Sequence, residues 1–291
     1  MELRQLKYFE RSAELLNFTE AARTLYISQS TLSQQIKQLE QELGVSLFNR
    51  VGKHVEITEN GMAFLPFARK TLQDVESGKQ IIKDIQGLHT GVLKIGVTYS
   101  MNFLLKDTLL KFSKKYPDIN VEVVFATTEE LLEKLNANKL DFILSLQSGY
   151  KNTHPDAVTL FRSKLHLVVH KSHPLAGMYG LTLKKLQKTP LILPAKGFFT
   201  RKILDAILDQ SSVKLSVNIE LNDINTLLQL VNTGKWATIV TLASIQDQPE
   251  LVGIPIIELN RRMFASLIWS PGSYRKKSAV AFAELLLKNN S

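Results

Sequence analysis

Phe18-Thr19-Glu20-Ala21-Ala22-Arg23-Thr24-Leu25-Tyr26-Ile27-Ser28-Gln29-Ser30-Thr31-Leu32-Ser33-Gln34-Gln35-Ile36-Lys37-Gln38-Leu39-Glu40-Gln41-Glu42-Leu43-Gly44 is the stretch that decides the fold. Two helices are written in it. Thr19 offers a hydroxyl cap to a short first helix, and the small Ala21 and Ala22 let that helix cross a neighbour closely. Ser28 caps the second, in which Leu32, Ile36, Leu39 and Leu43 recur at helical spacing and form one apolar stripe. The opposite side presents Ser30, Ser33, Gln34 and Lys37, with the acids held back to Glu40 and Glu42. A face of hydroxyls, amides and one cation enters a DNA major groove without repelling phosphate.

The flanks extend this unit. Leu6, Phe9, Ala13 and Leu16 mark one face of an earlier helix ending near Asn17. After Gly44 comes Val45 to Thr58, where a turn at Gly52 predicts a small β-wing with Arg50 and Lys53 at its tip, suited to phosphate or the minor groove. Thr58 caps a long helix from Glu59 to about Gln86. Leu65, Ala68, Leu72, Val75 and Ile82 occupy its a and d positions, with Lys79 as the one break. That seam predicts packing against the same helix of a second subunit; a helix packed on its own domain is the alternative. Pro66 lacks a backbone donor and is expected to kink this helix or tighten its start.

Composition narrows the function classes. The 291 residues include no cysteine, which excludes disulfides, thiolate metal sites and cysteine redox sensing. The net charge is +9, yet the first 90 residues hold 11 Lys+Arg against 11 Asp+Glu. The DNA reading therefore rests on local geometry, while the basic remainder suits an anionic ligand or solubility. Met1 to Leu6 lacks a signal-peptide apolar run, and no later stretch approaches the ~20 apolar residues that span a bilayer. A soluble cytoplasmic protein with no membrane partner is expected.

From Gly87 to Gly91 the chain reads as a hinge. Beyond it, β-like runs (Val92 to Val97, Val121 to Phe125, Leu140 to Leu144) alternate with helical ones (Leu104 to Tyr116, Thr128 to Asn136). The rhythm repeats through Leu165 to Val169, Leu191 to Leu193, Arg201 to Gln210, Val217 to Leu221, Ile224 to Thr233 and Thr238 to Val240. A strand, Ala265 to Trp269, and a helix, Ser278 to Lys288, close the chain. This alternation predicts βαβ crossovers and mostly parallel sheets in two lobes, joined near Phe161 to Lys164 and near Asn260 to Phe264. Ligands of such sheets bind beyond the carboxyl ends of strands, at helix N-termini. Ser100, Thr127, Thr128, Gln147, Phe199 and Thr200 fall there.

Phe18, Ala21, Ala22, Ser28, Gln29, Ser33, Gln35, Ile36, Lys37, Leu39, Glu40, Leu43, Gly44, Leu47, Phe48 and Arg50 together resemble the signature of the LysR-type transcriptional regulators. Many members have proline where this chain has Ser30 and alanine where it has Thr31. The resemblance covers essentially the whole chain. It implies an α/β protein with an N-terminal all-α winged helix-turn-helix and a two-lobed, periplasmic-binding-protein-like effector domain. The expected segments are 1–58 for DNA binding, 59–87 for dimerisation and 88–291 for the effector, with lobe I about 92–161 and 266–291 and lobe II about 162–265. It adds Thr19, Arg23, Gln29 and Thr31 to the DNA-binding set, and Met101, Asn222 and Thr241 to the effector-binding set. Double-stranded operator DNA, AT-rich and palindromic, a small effector and a dimer or tetramer of the chain are the implied partners, with RNA polymerase a further candidate. Relatives show Gly-x-Gly before a strand ending in proline; this chain has Gly234-Lys235-Trp236 and then Thr241.

Two rival classes fit less. A solute-binding transport protein accounts for two lobes but not for the first 60 residues. An enzyme accounts for a cleft, but no Gly-x-Ser-x-Gly elbow, phosphate-cradling loop or His-Glu-x-x-His is present. No cofactor or metal is expected. His166, His170 and His173 lack an acidic or thiolate partner in sequence, and a structural role is the simpler reading.

Overall fold

The computed structural model describes residues 1–51, 54–85, 90–148 and 156–289. Lys53, the side chain of Arg50 and the hinge residues 86–89 lie outside that description. The chain divides into two compact units, Met1–Gln86 and Gly87–Ser291.

In the first unit, α1 (Leu3–Leu15), α2 (Phe18–Thr24) and α3 (Gln29–Leu43) enclose a core of Leu6, Phe9, Phe18, Ala21, Ala22, Leu32, Ile36 and Leu39. Asn17, not Thr19, caps α2: its Oδ1 accepts from the Glu20 N–H at 3.0 Å, and Thr19 lies exposed one residue inside the helix. An asparagine at this position presents its acceptor at the same reach as a hydroxyl. Gly44 ends α3 in the left-handed conformation at φ 71°. The wing follows, with β1 (Phe48–Val51) antiparallel to β2 (His54–Ile57). Glu40 anchors it, one carboxylate oxygen accepting from the Leu47 and Phe48 N–H groups at 2.8 and 3.1 Å. The rings of Phe9, Phe18 and Phe48 then interlock at 5.3–5.5 Å.

Helix α4 (Glu59–Ile85) runs on through Pro66, and Thr58 caps it by accepting from the Gly61 N–H at 3.0 Å. A side chain at Gly61 would stand 2.3 Å from the Leu47 carbonyl, so the helix start and the wing approach too closely for any other residue. The heptad seam divides. Ala68 is buried in the first unit's own core, with Leu65 and Leu72 packed against it. These three were expected to face a partner helix. Their own domain covers part of that seam, burying Ala68 against α1 and leaving Leu65 and Leu72 half-buried. Val75 is half-buried, while Phe67, Ile81, Ile82 and Ile85 remain exposed.

The second unit contains a five-stranded mixed sheet, a three-stranded antiparallel one and a two-stranded parallel one, rather than mostly parallel sheets. The first has the order β4-β3-β5-β12-β6. Strands β3 (Gly91–Val97), β4 (Ile119–Phe125) and β5 (Phe142–Ser148) are parallel, whereas β12 (Met263–Trp269) runs antiparallel to β5 and to β6 (Ala157–Ser163). Helices α5 (Leu105–Lys115) and α9 (Lys277–Asn289) cover one face through Phe112 and Phe282, and α6 (Thr128–Asn136) covers the other. The second lobe joins β7 (Leu165–His170) antiparallel to β10 (Thr238–Thr241) and β11 (Leu251–Pro255). Beside them lie parallel β8 (Leu191–Pro194) and β9 (Val217–Leu221), with α7 (Phe199–Leu208) and α8 (Ile224–Asn232). The strands that leave or re-enter a lobe at the crossovers meet existing edges in reverse, which converts the parallel plan into a mixed one. Sequence periodicity missed β6 and β11. Phe161 and Arg162, read as crossover, belong to β6.

Candidate functional sites

On α3 the apolar stripe fixes which side faces water. Gln29, Ser30, Thr31, Gln34 and Lys37 are exposed and Ser33 is half-buried, with no carboxylate among them. Ser28 Oγ accepts from the Thr31 N–H at 3.1 Å, and its hydroxyl also meets those of Ser30 and Thr31 at 2.8 Å each. Gln29 Nε2 donates to Ser33 Oγ at 2.9 Å. These bonds hold short polar groups in register without burying them. Beside the face, Arg23 forms two hydrogen bonds to Glu20, at 2.6 and 2.9 Å, which hold the Glu20 carboxyl below its ordinary pKa. Both side chains are exposed, so phosphate can replace Glu20 as the guanidinium's partner at little cost. Lys37 forms no ion pair among the described residues. Tyr26, 96% exposed at φ 56° in the turn before α3, gave no sequence signal beyond its being a turn residue.

In the second unit, Ser100, Thr127, Thr128, Phe199 and Thr200 converge on one cavity between the lobes. Thr98, Tyr99, Phe198, Ile224 and Ser244, which sequence reasoning missed, complete much of its wall. Tyr99 stacks on Phe125 and meets Phe198 of the opposite lobe, with centroids 5.7 Å apart in both pairs. At the rim, Lys202 of α7 pairs with Glu129 of α6 across the two lobes. The enclosed space is only about 20 Å³, room for roughly one water.

Four expected residues do not line this cavity. Met101 is fully buried in the core, turned inward by the tight helical turn over Tyr99–Leu104. Gln147 is buried on β5, one residue past the lining Leu146, where strand alternation sends it to the other face. Asn222 is exposed after β9. Thr241 is buried and its hydroxyl meets that of Ser244 at 3.0 Å. Trp236 packs against the second lobe's apolar cluster, under Lys235 at 5.0 Å, rather than at the cavity.

The hydroxyls that do line it are unequal. Thr127 forms a reciprocal cap with Glu130, whose carboxylate accepts from the Thr127 N–H and hydroxyl at 2.9 and 2.8 Å and is lowered in pKa by them. Thr128 Oγ1 meets Ser145 Oγ at 2.8 Å. Ser100 has no hydrogen-bond partner among the described residues. At α7 no side chain caps the N-terminus, leaving backbone donors there. Arg201, 6% exposed, braces that end by donating to the Pro194 carbonyl, Asp205 and Glu220 at 3.0, 2.8 and 2.9 Å. Burial opposes its charge, but those bonds outweigh it and raise its pKa.

A helix-turn-helix whose second helix exposes an acid-free face, followed by a two-lobed α/β unit with a cavity between its lobes, defines a DNA-binding regulator with a ligand-sensing domain. Residues 3–62 match the profile of the "Bacterial regulatory helix-turn-helix protein, lysR family", and residues 86–291 match the "LysR substrate binding domain". The chain belongs to the LysR family of transcriptional regulators. It is 31% identical to a "Probable RuBisCO transcriptional regulator" of Thalassiosira pseudonana, over 99% of this chain and 98% of that one. It is 26% identical to the "RuBisCO operon transcriptional regulator" of Allochromatium vinosum, over 99% and 96%. Among solved structures, full-length CbnR complexed with its target DNA is similar with 25% identity and a TM-score of 0.58, covering all of both chains.

Proposed function

We propose that the chain is a cytoplasmic, non-enzymatic regulator that reads an operator through α3 and is tuned by an anionic effector in the inter-lobe cavity. In this reading residues 1–58 bind DNA, 59–87 dimerise and 88–291 sense the effector. Thr19, Arg23, Arg50 and Lys53 contact the backbone, while Gln29, Ser30, Thr31, Ser33, Gln34 and Lys37 meet base edges. The observation that carries it is the carboxylate-free exposed face of α3, set against a stripe in which Leu32, Ile36 and Leu39 are core. Dimerisation then falls to Phe67, Ile81, Ile82 and Ile85, the part of α4 its own domain leaves uncovered. The effector's negative charge is supported by the uncapped α7 N-terminus beside Ser100, since helix N-termini favour anions. The α6 end is less suited, with its donors already satisfied and Glu129 and Glu130 in its first turn.

Footprinting on the DNA upstream of the protein's own gene, followed by anisotropy on that site and on random DNA, tests this reading. Operator binding well above random binding, with dimer-sized particles by light scattering, is the expected result. Equal affinity for both DNAs would overturn it. Ile82→Glu should dissociate the dimer without unfolding the first unit, whereas Leu72→Glu should unfold it.

A further inference from the structure

The roomier cavity of the second unit is not the one between Ser100 and α7. It is an open cleft at the two crossovers with a volume of about 550 Å³, within the range of roughly 300–1,000 Å³ typical of small-molecule pockets. Phe103 comes to it from the first lobe, and Phe161 and Arg162 from the end of β6. Lys164 sits on one crossover and Arg262 just before β12. Leu242 comes from the second lobe. Its wall has an apolar side, made by the two phenylalanines and Leu242, and a cationic one, made by Arg162, Lys164 and Arg262.

No carboxylate lines it, and no ion pair neutralises any of the three cations among the described residues. Lys164 is tied to the neutral Asn260 Oδ1, and Arg162 lies 5.8 Å from the Phe264 ring centre. Some other cations of this unit do pair with carboxylates: Lys171 with Glu250, Arg275 with Asp156, Lys276 with Asp141. His166, also in the wall, donates its Nδ1–H to the Lys164 carbonyl at 3.1 Å, and burial lowers its pKa. Three like charges converging on a cavity without a counter-ion repel one another, and an anion relieves that repulsion.

We infer that this crossover cavity is a second ligand site, taking an organic dianion with a flat apolar body, distinct from the inter-lobe cavity. The anionic end meets Arg162, Lys164 and Arg262, and the body lies against Phe103, Phe161 and Leu242. The wall draws on both lobes and both connections between them, so an occupant touches both lobes at once.

Titration calorimetry on the full-length protein tests this with 4-nitrophenyl phosphate as the probe. Inorganic phosphate supplies the charge without the body, and 4-nitrophenol the body without the dianion. The expected result is saturable one-to-one binding of the probe, with both controls at least tenfold weaker. Arg262→Ala and Arg162→Ala should each weaken it by about tenfold or more, the usual effect of losing a charge-assisted hydrogen bond. Leu242→Trp should block it by filling the cavity without altering charge. Ser100→Val, in the other cavity, should leave it unchanged. Three results would overturn the inference: no saturable binding to the unaltered protein, wild-type binding by both arginine variants, or loss on Ser100→Val alone. Since the proposed effector site is probed by Ser100 and this one by Arg262, failure of either reading leaves the other standing.

Discussion

The two units solve the problem of presenting polar groups in opposite ways. In the first, the groups offered to a partner lie on one helix, and the residues that bury that helix lie on its other side. Leu32, Ile36 and Leu39 are core; Gln29, Gln34 and Lys37 are exposed. In the second, the candidate residues come from three separate connections, after β3, β4 and β8, and only meet because two sheets bring them together. Two of their hydroxyls are already occupied: Thr127 with Glu130 and Thr128 with Ser145. A surface that reads a long rigid partner is built locally, whereas a cavity for a small molecule is assembled from distant segments and shares its polar groups with the scaffold.

The strongest way to break this comparison is through the core behind the reading face. Phe9 is fully buried and touches Phe48 and Phe64. Phe9→Ala should cost about 3–5 kcal/mol of first-unit stability, as expected for an emptied aromatic site. Urea unfolding followed in both units should show the first transition move and the second stay. Movement of both by similar amounts would mean that the two units do not stand on separate cores.

Next in size come the face residues. Gln29→Ala and Ser33→Ala should each reduce discrimination between operator and random DNA by about 1–3 kcal/mol, with thermal stability unchanged. Unchanged discrimination would show that α3 is not the reading helix. The corresponding test in the second unit separates structural from free hydroxyls. Thr127→Ala should cost about 1 kcal/mol of stability by uncapping α6, while Ser100→Ala should leave the melting temperature where it is and weaken only the effector response. A Ser100 variant that is as destabilised as the Thr127 one removes the distinction.

Two smaller effects sharpen the contrast. The exposed Lys202–Glu129 pair spans the lobes, and Lys202→Ala should change stability by no more than about 1 kcal/mol while making the effector response easier to elicit. Raised salt should mimic the variant. Acidification should act on the second unit through His166 and His173, whose pKa values burial lowers. A depressed imidazole stabilises the fold in its neutral form, so this contribution is complete above the usual value of about 6.5 and is lost as pH falls below it. The second unit's urea midpoint should therefore drop between neutral pH and pH 5.5, and His166→Asn should flatten part of that drop.

Helical and strand periodicity made most elements legible: α3, α6, α8 and β9 lie within a residue or so of where the apolar spacing placed them. The DNA-binding face was legible for the same reason, since in a helix the side opposite a core stripe is fixed by a 3.6-residue period. Three things were not. The cap of α2 was read as Thr19, whereas the Glu20 N–H is taken by Asn17. The a/d seam of α4 looked the same whether a partner or its own domain covered it, and only the position of α1 put Ala68 inside and half-buried Leu65 and Leu72. The inter-lobe cavity owes Tyr99, Phe198 and Ser244 to segments some 100 residues or more apart in part, and Arg162, Lys164 and Arg262 gather only where two crossovers return together. Sequence alone settled what each segment does to its own neighbours, because those interactions repeat with a local period. Tertiary structure decided which distant groups share a cavity, because that depends on how sheets meet, and no spacing along the chain encodes it.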